Sequence, residues 1–214
     1  MIIAIDGPAG SGKSTTSKLV AERLGISHLD TGSMYRAVTL YFIENKYSVD
    51  HVDIDSIMNS IDLEISDGAV FLNGNDVTTK LRTQEVSRLV SDISSLQKVR
   101  SRMVEIQRKI SQNKSIVIDG RDIGTVVFPE AEFKFFITAS IESRAKRRFD
   151  ELKVSDSNVN LDEISKQIEE RDYFDSTRTN SPLKKASDAI IVDTTRLSID
   201  EQVNIILETI NNTN

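Results

Sequence analysis

Short apolar runs alternate with helix-like segments along the chain. The run Ile2–Ile5 is continuously apolar and predicts a buried strand, and the further runs, which are rich in apolar residues, predict other strands of a sheet. The predicted strands are Ile2–Ile5, Ile26–Asp30, Ser115–Asp119, Phe133–Thr138 and Ala189–Asp193. Strands that alternate with helices predict an α/β fold with a parallel sheet, in which ligands collect at the carboxyl ends of the strands.

The segments between these runs carry apolar residues at helical spacing. The first helix is predicted over Thr15–Leu24 and ends at Gly25, a residue type common just after a helix. A helix capped by Thr83 precedes another over residues 99–110. The last helix follows Ser198–Glu201, a capping box in which the first and fourth residues satisfy each other's main-chain N–H groups.

Two stretches interrupt this rhythm. Residues Leu63–Val77 alternate between apolar and polar positions around Asp-Gly at 67–68 and Asn-Gly at 73–74, which are strong hairpin turn signals. They predict a small antiparallel insert on the parallel core. Residues Val154–Asn160 are polar and poor in core residues, which predicts a mobile loop, and a sequence similar to a capping box at Asn160 then starts a further helix.

The composition excludes several classes of protein. The 214 residues are 38% hydrophobic and 28% charged, as in an ordinary globular domain. A net charge of −6 argues against non-specific binding to nucleic acid or to an anionic membrane. The chain has no cysteine and only His28 and His51, to which we assign no chemistry, so neither a zinc site nor a Ser-His-Asp triad is expected. Met1 leads directly into the first strand and no apolar run reaches membrane-spanning length, so we expect a cytoplasmic protein.

The segment Gly7–Ser14, GPAGSGKS, is the strongest chemical signal in the chain. It fits G-x-x-x-x-G-K-[ST], a glycine-rich loop whose main-chain N–H groups surround a phosphate. In such a loop Lys13 reaches the β- and γ-phosphates, and Ser14 offers its hydroxyl to Mg²⁺. Because a predicted strand precedes the loop and a predicted helix follows it, the segment predicts binding of a nucleoside triphosphate. The residues predicted to bind ATP are Gly7, Pro8, Ala9, Gly10, Ser11, Gly12, Lys13, Ser14 and Thr15.

Three of the apolar runs are followed by or end in an aspartate, at Asp6, Asp30 and Asp119. An apolar run that ends in aspartate beside a P-loop is the Walker-B arrangement, which predicts that Asp119 is linked to Mg²⁺, directly or through a water. The alternative is that Asp119 only caps the end of its strand.

Several arginines lack an obvious structural role. Arginine suits phosphoryl transfer because its planar fork binds phosphate and stays charged. The arginines concerned follow predicted strand ends or flank the polar loop, and they are Arg36, Arg121, Arg144, Arg147, Arg148, Arg171 and Arg178. A purely structural alternative stays open for some of them. Arg144 and Arg148 also fit a solvated helix face that pairs with Asp150 or Glu151, and Arg171 also fits a pair with Asp175.

Five blocks of the sequence resemble the bacterial cytidylate kinases. They are Gly7–Thr15, Leu29–Arg36, Leu81–Val86, Asp119–Pro129 and Glu170–Leu183. The blocks follow the family's order and span nearly the whole chain. The resemblance implies an α/β, three-layer P-loop kinase with a parallel core sheet, a helical lid and a small antiparallel β insert in the monophosphate-binding region. It implies one domain over residues 1–214, with a core of residues 1–60, 112–145 and 180–214, a CMP-binding region over 61–111 and a lid over 146–179.

The resemblance also implies the reaction and the roles of individual residues. ATP and CMP or dCMP would give ADP and CDP or dCDP in pyrimidine nucleotide metabolism, with Mg²⁺ as the cofactor. The acceptor monophosphate would be bound by Thr31, Arg36 and Arg121, and cytosine would face Ser91, Arg100 and Asp122. The sugar and phosphates would be served by Arg171, Asp175 and Arg178 as the lid closes, with Arg147 and Arg148 in the lid. The catalytic set is then Lys13, Arg36, Arg121, Arg147, Arg148 and Arg171.

The chemistry of these residue types agrees with cytosine as the base. A carboxylate such as Asp122 can accept from the cytosine amino group, whereas uracil reverses donors and acceptors and leaves buried groups unpaired. A site of this kind discriminates by about 10⁴ or more, as when a hydrogen-bonded partner is missing.

Three other functions are weighed against this one. A P-loop GTPase needs an N-K-x-D guanine reader, and the two candidate segments, Asn45–Ser48 and Asn113–Ile116, both lack the aspartate. A kinase of the same fold for AMP, dTMP or shikimate would differ in the residues that read the acceptor. An ATP-gated adaptor would bind ATP without turnover. We expect a monomer without a macromolecular partner.

Overall fold

The computed structural model describes residues 1–49, 51–66, 68–153 and 159–213. It divides into two compact units. The first unit comprises Met1–His28 and Lys114–Asn214, and the second comprises Leu29–Asn113. Most of the loop predicted over Val154–Asn160, and Asp67 of the first predicted turn, lie outside the described residues.

The helices and strands are numbered in chain order. The strands are β1 Ile2–Asp6, β2 Ser27–Asp30, β3 Leu63–Ser66, β4 Ala69–Leu72, β5 Asn75–Asp76, β6 Ile116–Gly120, β7 Phe133–Thr138 and β8 Ile190–Asp193. The α-helices are α1 Lys13–Leu24, α2 Thr31–Glu44, α3 Ile54–Ser60, α4 Gln84–Ser95, α5 Gln97–Ile110, α6 Ile141–Lys153, α7 Leu161–Thr177 and α8 Ile199–Thr213. A 3₁₀ helix covers Thr78–Arg82 and a π-helical turn covers Ile123–Val127.

Five strands form a sheet in the order β2-β6-β1-β7-β8. Strand β1 pairs in parallel with β6 and with β7, and β7 pairs in parallel with β8. The register places Asp6 opposite Gly120 and Phe136, so these strands end together at one edge. The predicted parallel sheet is therefore confirmed, and its carboxyl edge holds the segments that follow β1 and β6.

The core of the first unit lies between the sheet and the helices α1 and α8. Ile3, Ile5 and Phe135 from the strands are buried with Val20 of α1 and Ile206 of α8. Burying each side chain of this size stabilises the fold by about 1.5–3 kcal/mol, and truncation of one to alanine costs about 2–5 kcal/mol. Helix α1 begins two residues before its predicted start and ends where predicted, because Gly25 adopts the left-handed conformation with φ of 65°.

The predicted antiparallel insert is present in the second unit. Strands β3, β4 and β5 form an antiparallel sheet, with Leu63 opposite Leu72. Asn73 and Gly74 both have positive φ, 49° and 77°, which suits a tight hairpin turn between β4 and β5. Strand β5 follows the second predicted turn and lies within the predicted insert.

Helix α2 is missing from the sequence predictions, and its burial explains why. Eight of its residues are buried, among them Met34, Val38 and Phe42, so apolar side chains surround the helix instead of forming one stripe. The helix packs on α4 and the 3₁₀ helix, which places residues from 29 onwards in the second unit. The division into one domain with a lid over 146–179 stays a prediction.

Candidate active site

The P-loop lies between β1 and α1 and is shaped by its glycines. A Cβ atom at Gly7 would lie 2.1 Å from the main-chain oxygen of Ile137, so a larger residue does not fit there. Gly12 has φ of 89°, and a Cβ there would lie 3.3 Å from Oε1 of Gln202. Gly12 is the residue that precedes α1, and in the described part of the chain it supplies no side-chain hydrogen bond to the start of the helix. The start of a helix attracts an anion through the helix dipole and its first N–H groups.

Asp119 at the end of β6 is completely buried beside this loop. Its Oδ2 accepts a hydrogen bond from the Ser14 hydroxyl at 2.6 Å, and its Oδ1 lies 2.8 Å from Nε2 of His28. Burial pushes the pKa of Asp119 upward, but the His28 hydrogen bond and the Lys13 charge outweigh it and hold the pKa below its usual range. Asp119 is thus an ionised carboxylate next to the P-loop serine.

His28, to which the sequence assigns no chemistry, contacts the Asp119 carboxylate. Strand β2 is the neighbour of β6 in the sheet, and this adjacency places the His28 ring against the Asp119 carboxylate. The sequence signal was weak, since a histidine two residues before a strand-terminal aspartate has no fixed meaning. His28 therefore belongs to the surroundings of Asp119.

Two arginines of α6 bind the P-loop main chain. The Arg144 side chain is buried and donates to the main-chain oxygens of Ala139 at 3.0 Å and Ala9 at 3.1 Å. Arg147 donates to the main-chain oxygen of Ser11 at 3.2 Å and to that of Thr194 at 2.5 Å. Both guanidinium groups therefore hold the loop from its carbonyl side.

Arg144 was only one member of the predicted arginine set, without a functional role. The structure pairs its Nη1 with Asp172 of α7 at 2.6 Å. Arg148, by contrast, lies on the exposed face of α6 and pairs with Glu151 at 3.0 Å. The sequence had left open that Arg148 only pairs with Asp150 or Glu151 on a solvated helix face, and the contact with Glu151 agrees with that alternative.

A second cluster surrounds Asp175 of α7. Arg121 Nε donates to Asp175 Oδ2 at 2.9 Å, and Arg171 and Arg178 approach the same carboxylate at 3.8 Å. Burial raises the pKa of Asp175, but the charges of the three arginines outweigh this and hold the pKa below its usual range. The cluster gathers four of the predicted acceptor-site residues around one ionised carboxylate.

Asp122 lies at the start of the π-helical turn that follows β6. It is buried, at 3% exposure, and its main-chain oxygen accepts from the N–H groups of Val126 and Val127. The turn is held at its start by Asp6, whose carboxylate accepts from the N–H groups of Ile123 and Gly124. The sequence identifies Asp6 only as an aspartate at the end of a predicted strand and gives no sign of these hydrogen bonds.

In the second unit, the predicted acceptor-site residues lie on α2, α4 and α5. Arg36 Nη1 donates to Ser87 Oγ at 3.2 Å, and Arg100 Nη1 donates to the main-chain oxygen of Ser94 at 3.0 Å. The Arg100 guanidinium is buried and lies 5.2 Å from the centre of the Tyr35 ring. Ser91 is partly buried, and Thr31 is buried at the start of α2.

Comparison with known proteins identifies the family of this chain. A family model described as cytidylate kinase matches residues 3–212. The chain belongs to the cytidylate kinase family. Cytidylate kinases from Fusobacterium nucleatum subsp. nucleatum and Carboxydothermus hydrogenoformans are 47% and 49% identical to it. The alignments cover 96% and 100% of this chain and 95% and 99% of those proteins.

One solved structure extends the likeness in the fold. An uncharacterized protein from Eubacterium ventriosum ATCC 27560 matches with a TM-score of 0.56 and 15% identity, covering 99% of this chain and 98% of the other. Membership of the cytidylate kinase family confirms the resemblance and the P-loop kinase fold. It also makes the chain an enzyme, which excludes the GTPase and adaptor alternatives.

The oxygens beside the P-loop fit the hard cation that a kinase of this family uses with its nucleotide. Ser14 Oγ and Asp119 Oδ2 lie 2.6 Å apart, and a hydroxyl and an ionised carboxylate are ligands that Mg²⁺ prefers. No group of three or more His, Cys, Asp or Glu residues in the described ranges could hold a metal alone. A cation here would therefore share its coordination with phosphates and water.

No helix in the described ranges is long and apolar enough to cross a bilayer.

Proposed function

We propose that the chain transfers the γ-phosphoryl group of ATP to CMP or dCMP, giving ADP and CDP or dCDP. The match to cytidylate kinases over nearly the whole chain carries this proposal. The glycine-rich loop at the start of α1 supports it, because a helix start preceded by such a loop and followed by a lysine suits a polyphosphate.

On the donor side, the P-loop residues Gly7–Thr15 hold the phosphates of ATP, with Lys13 at the β- and γ-phosphates. Ser14 and Asp119 hold Mg²⁺, Asp119 directly or through a water. When bound, the cation neutralises charge on the phosphates. Ser14 and Asp119 are pre-oriented by their mutual hydrogen bond, and the lowered pKa of Asp119 keeps its carboxylate ionised at neutral pH.

On the acceptor side, the residue roles follow the resemblance to the family and are assigned for each unit by itself. In the second unit we assign Thr31 and Arg36 to the monophosphate and Ser91 and Arg100 to cytosine. In the first unit we assign Arg121 to the monophosphate, Asp122 to cytosine, and the pair Arg171 and Arg178 with Asp175 to the sugar and phosphates. The Asp175 carboxylate holds its arginines in place while their remaining N–H groups face phosphate oxygens.

The chemistry needs alignment and charge neutralisation more than a base. The attacking oxygen of the monophosphate is already anionic at neutral pH, so no side chain has to remove a proton. Arg36, Arg121 and Arg171 neutralise charge that develops on the transferred group, and Arg147 and Arg148 act from the lid. Closure of the lid excludes water, which would otherwise accept the phosphoryl group.

An acceptor panel tests the reaction. ADP release is measured with ATP and, in turn, CMP, dCMP, UMP, AMP and dTMP. We expect turnover with CMP and dCMP far above the other acceptors. Faster turnover with AMP or dTMP, or the absence of acceptor-dependent ADP, would contradict the proposal.

Size-exclusion chromatography with light scattering checks the predicted monomer, and cell fractionation checks the predicted cytoplasmic location.

The base-reading role of Asp122 gives a sharper prediction. Replacement of Asp122 by alanine removes the acceptor for the cytosine amino group, so kcat/KM for CMP should fall by about 10²–10³ while that for UMP falls far less. The KM for ATP should change less than about threefold. Asp62→Ala, at an exposed aspartate of the second unit, is the control. Equal losses for CMP and UMP would remove Asp122 from base recognition.

A further inference from the structure

Asp6 ends β1 directly before the P-loop, and the mechanism above gives it no role. Its side chain is buried, and both carboxylate oxygens are used. Oδ1 accepts from the Ile123 N–H and Oδ2 from the Gly124 N–H, each at 2.8 Å. These contacts join residues more than a hundred positions apart, so they reflect the fold and not a local turn.

The two N–H groups are the first two of the π-helical turn Ile123–Val127. The first N–H groups of a helix have no partner within the helix and need one from outside when they are buried. In the part of the chain that the structure describes, the side chain of Asp122 does not cap this turn. Asp6 caps it instead, from the neighbouring strand.

This cap fixes the main chain on one side of Asp122. The Ile123 nitrogen is bonded to the carbonyl carbon of Asp122, so the peptide group that leaves Asp122 is held by Asp6. On the other side, Gly120 pairs with Asp6 in the ladder between β1 and β6. Arg121 and Asp122 are therefore anchored at both ends, and the same residue of β1 takes part in both anchors.

The charges around Asp6 show that this arrangement is costly. Burial and, to a smaller extent, the charge of Asp122 raise the pKa of Asp6, while the two N–H groups and Arg121 lower it. The net result is a pKa of about 7. A neutral residue of similar size would avoid the cost of burying a carboxyl here. The Asp6 carboxyl, however, accepts two hydrogen bonds from the main chain of the turn.

We propose that Asp6 is a positioning residue for acceptor recognition. By holding the N–H groups of Ile123 and Gly124, it fixes the main chain at Arg121 and Asp122 and so sets the preference for CMP over UMP. The inference rests on the proposed function, because it takes Asp122 as the residue that reads cytosine. Asp6 contacts neither nucleotide in this account and acts only through the turn.

The test is the variant Asp6→Asn. The amide keeps one acceptor oxygen but places an N–H₂ group against a main-chain N–H, so one of the two hydrogen bonds is lost. We expect the KM for CMP to rise about tenfold and the CMP-to-UMP ratio of kcat/KM to fall about tenfold. The KM for ATP should stay within about twofold of the wild type. Calorimetric Kd values for CMP and UMP give the same comparison without turnover.

Asp53→Asn is the matched control, because Asp53 also accepts a main-chain N–H at a helix start, that of Asp55 at 3.1 Å, but is exposed. It should leave the CMP-to-UMP ratio unchanged. A wild-type enzyme that prefers CMP, together with an Asp6→Asn variant that keeps this preference or loses ATP and CMP binding equally, would overturn the inference alone. A wild-type enzyme without a preference for CMP would overturn the proposed function as well.

A second variant approaches the same contact from the turn. A Cβ atom at Gly124 would lie 3.3 Å from Lys134 Cδ and 3.4 Å from Asp6 Oδ2, a tight fit that requires the neighbouring atoms to shift by a few tenths of an ångström. Gly124→Ala should therefore lower the CMP-to-UMP ratio in the same direction as Asp6→Asn. The double variant should lose less than the sum of the two, because both changes break one interaction. Fully additive losses would overturn the inference even if Asp6→Asn folds poorly.

Discussion

At the scale of single residues, the site depends on carboxylates that stay ionised although they are buried. Asp119 is completely buried, yet its pKa lies below the usual range. The Ser14 hydroxyl and the His28 ring take one oxygen each, and Lys13 adds a positive charge. Hydrogen bonds to the charged form and a nearby cation are the two effects that can outweigh the cost of burial.

His28 is expected to keep Asp119 oriented toward the P-loop. His28→Leu removes one hydrogen bond to a charged group, worth about 1.5–3 kcal/mol, so the KM for the Mg²⁺ complex of ATP should rise about tenfold or more. His28→Gln should recover much of the loss, because its amide can donate from a similar position. Equilibrium binding of Mg²⁺-ADP to the variants checks the effect without turnover. His51→Leu, at an exposed position, is the control, and an equal loss there would contradict a role for His28.

The residues that the sequence could not reveal share one property. His28, Asp6 and Arg144 act on partners about 90 to 135 positions away, and only the order of the strands brings them together. The P-loop, in contrast, was recognisable because its glycines, lysine and serine are consecutive and lie between a strand and a helix. The positions of the arginines, after predicted strand ends and beside the polar loop, predict phosphate binding, but the sequence could not separate buried Arg144 from Arg148 on the exposed face of the same helix.

At the scale of elements, α6 and α8 support the P-loop from outside. Arg144 and Arg147 of α6 bind main-chain oxygens of Ala9 and Ser11, and Thr16 Oγ1 at the start of α1 donates to Gln202 of α8 at 2.7 Å. A loop that presents its N–H groups to phosphate needs its carbonyl groups satisfied elsewhere. These helices supply that second set of partners, so the loop is shaped before any nucleotide binds.

The support from α6 can be tested with Arg144→Lys. Lysine keeps the charge but cannot reach Ala139, Ala9 and Asp172 at once, which leaves buried groups unpaired. We expect the free energy of unfolding to fall by about 2–4 kcal/mol, and the KM for ATP to rise because the loop loses a support.

Arg148→Lys on the same helix is the stability control for this prediction. Its Glu151 pair is exposed, so the free energy of unfolding should change by less than about 0.5 kcal/mol. Urea denaturation followed by circular dichroism measures both variants. Similar stability losses in the two would mean that the buried contacts of Arg144 contribute no more than a surface pair.

At the scale of the whole molecule, the architecture follows from local patterns more readily than the site does. Each of the five predicted parallel strands is present within one residue of its predicted bounds, because short runs rich in apolar residues favour a sheet. Strand β8 nevertheless leaves Ile190 and Ile191 exposed. The antiparallel insert was recognisable from its turn residues. Helix α2 was not, because a helix buried on most sides has no polar face to set its period.

The buried carboxylates also determine how the stability of the molecule depends on pH. The lowered pKa values of Asp119 and Asp175 contribute stability that is present above about pH 4 and is lost as the pH falls further. Asp6 acts in the opposite direction. Because its pKa is raised to about 7, the folded chain binds a proton that the unfolded chain has released, and stability falls as the pH rises between about 4 and 7.

The contribution of Asp6 can be isolated by comparing the wild type with Asp6→Asn from pH 4.5 to pH 8. Other titrating groups are common to both proteins, so the difference in their free energies of unfolding reports Asp6. With rising pH, the wild type should lose about 2–4 kcal/mol relative to the variant, and the difference should level off above pH 7. Asp6→Ala also lacks the carboxyl, so the difference in free energy of unfolding between it and the wild type should depend on pH in the same way. That difference should be offset by a constant amount, because alanine loses both hydrogen bonds. A difference that stays constant over this range would mean that the Asp6 carboxyl ionises without cost, and that burial is offset by the N–H groups of Ile123 and Gly124 and by Arg121.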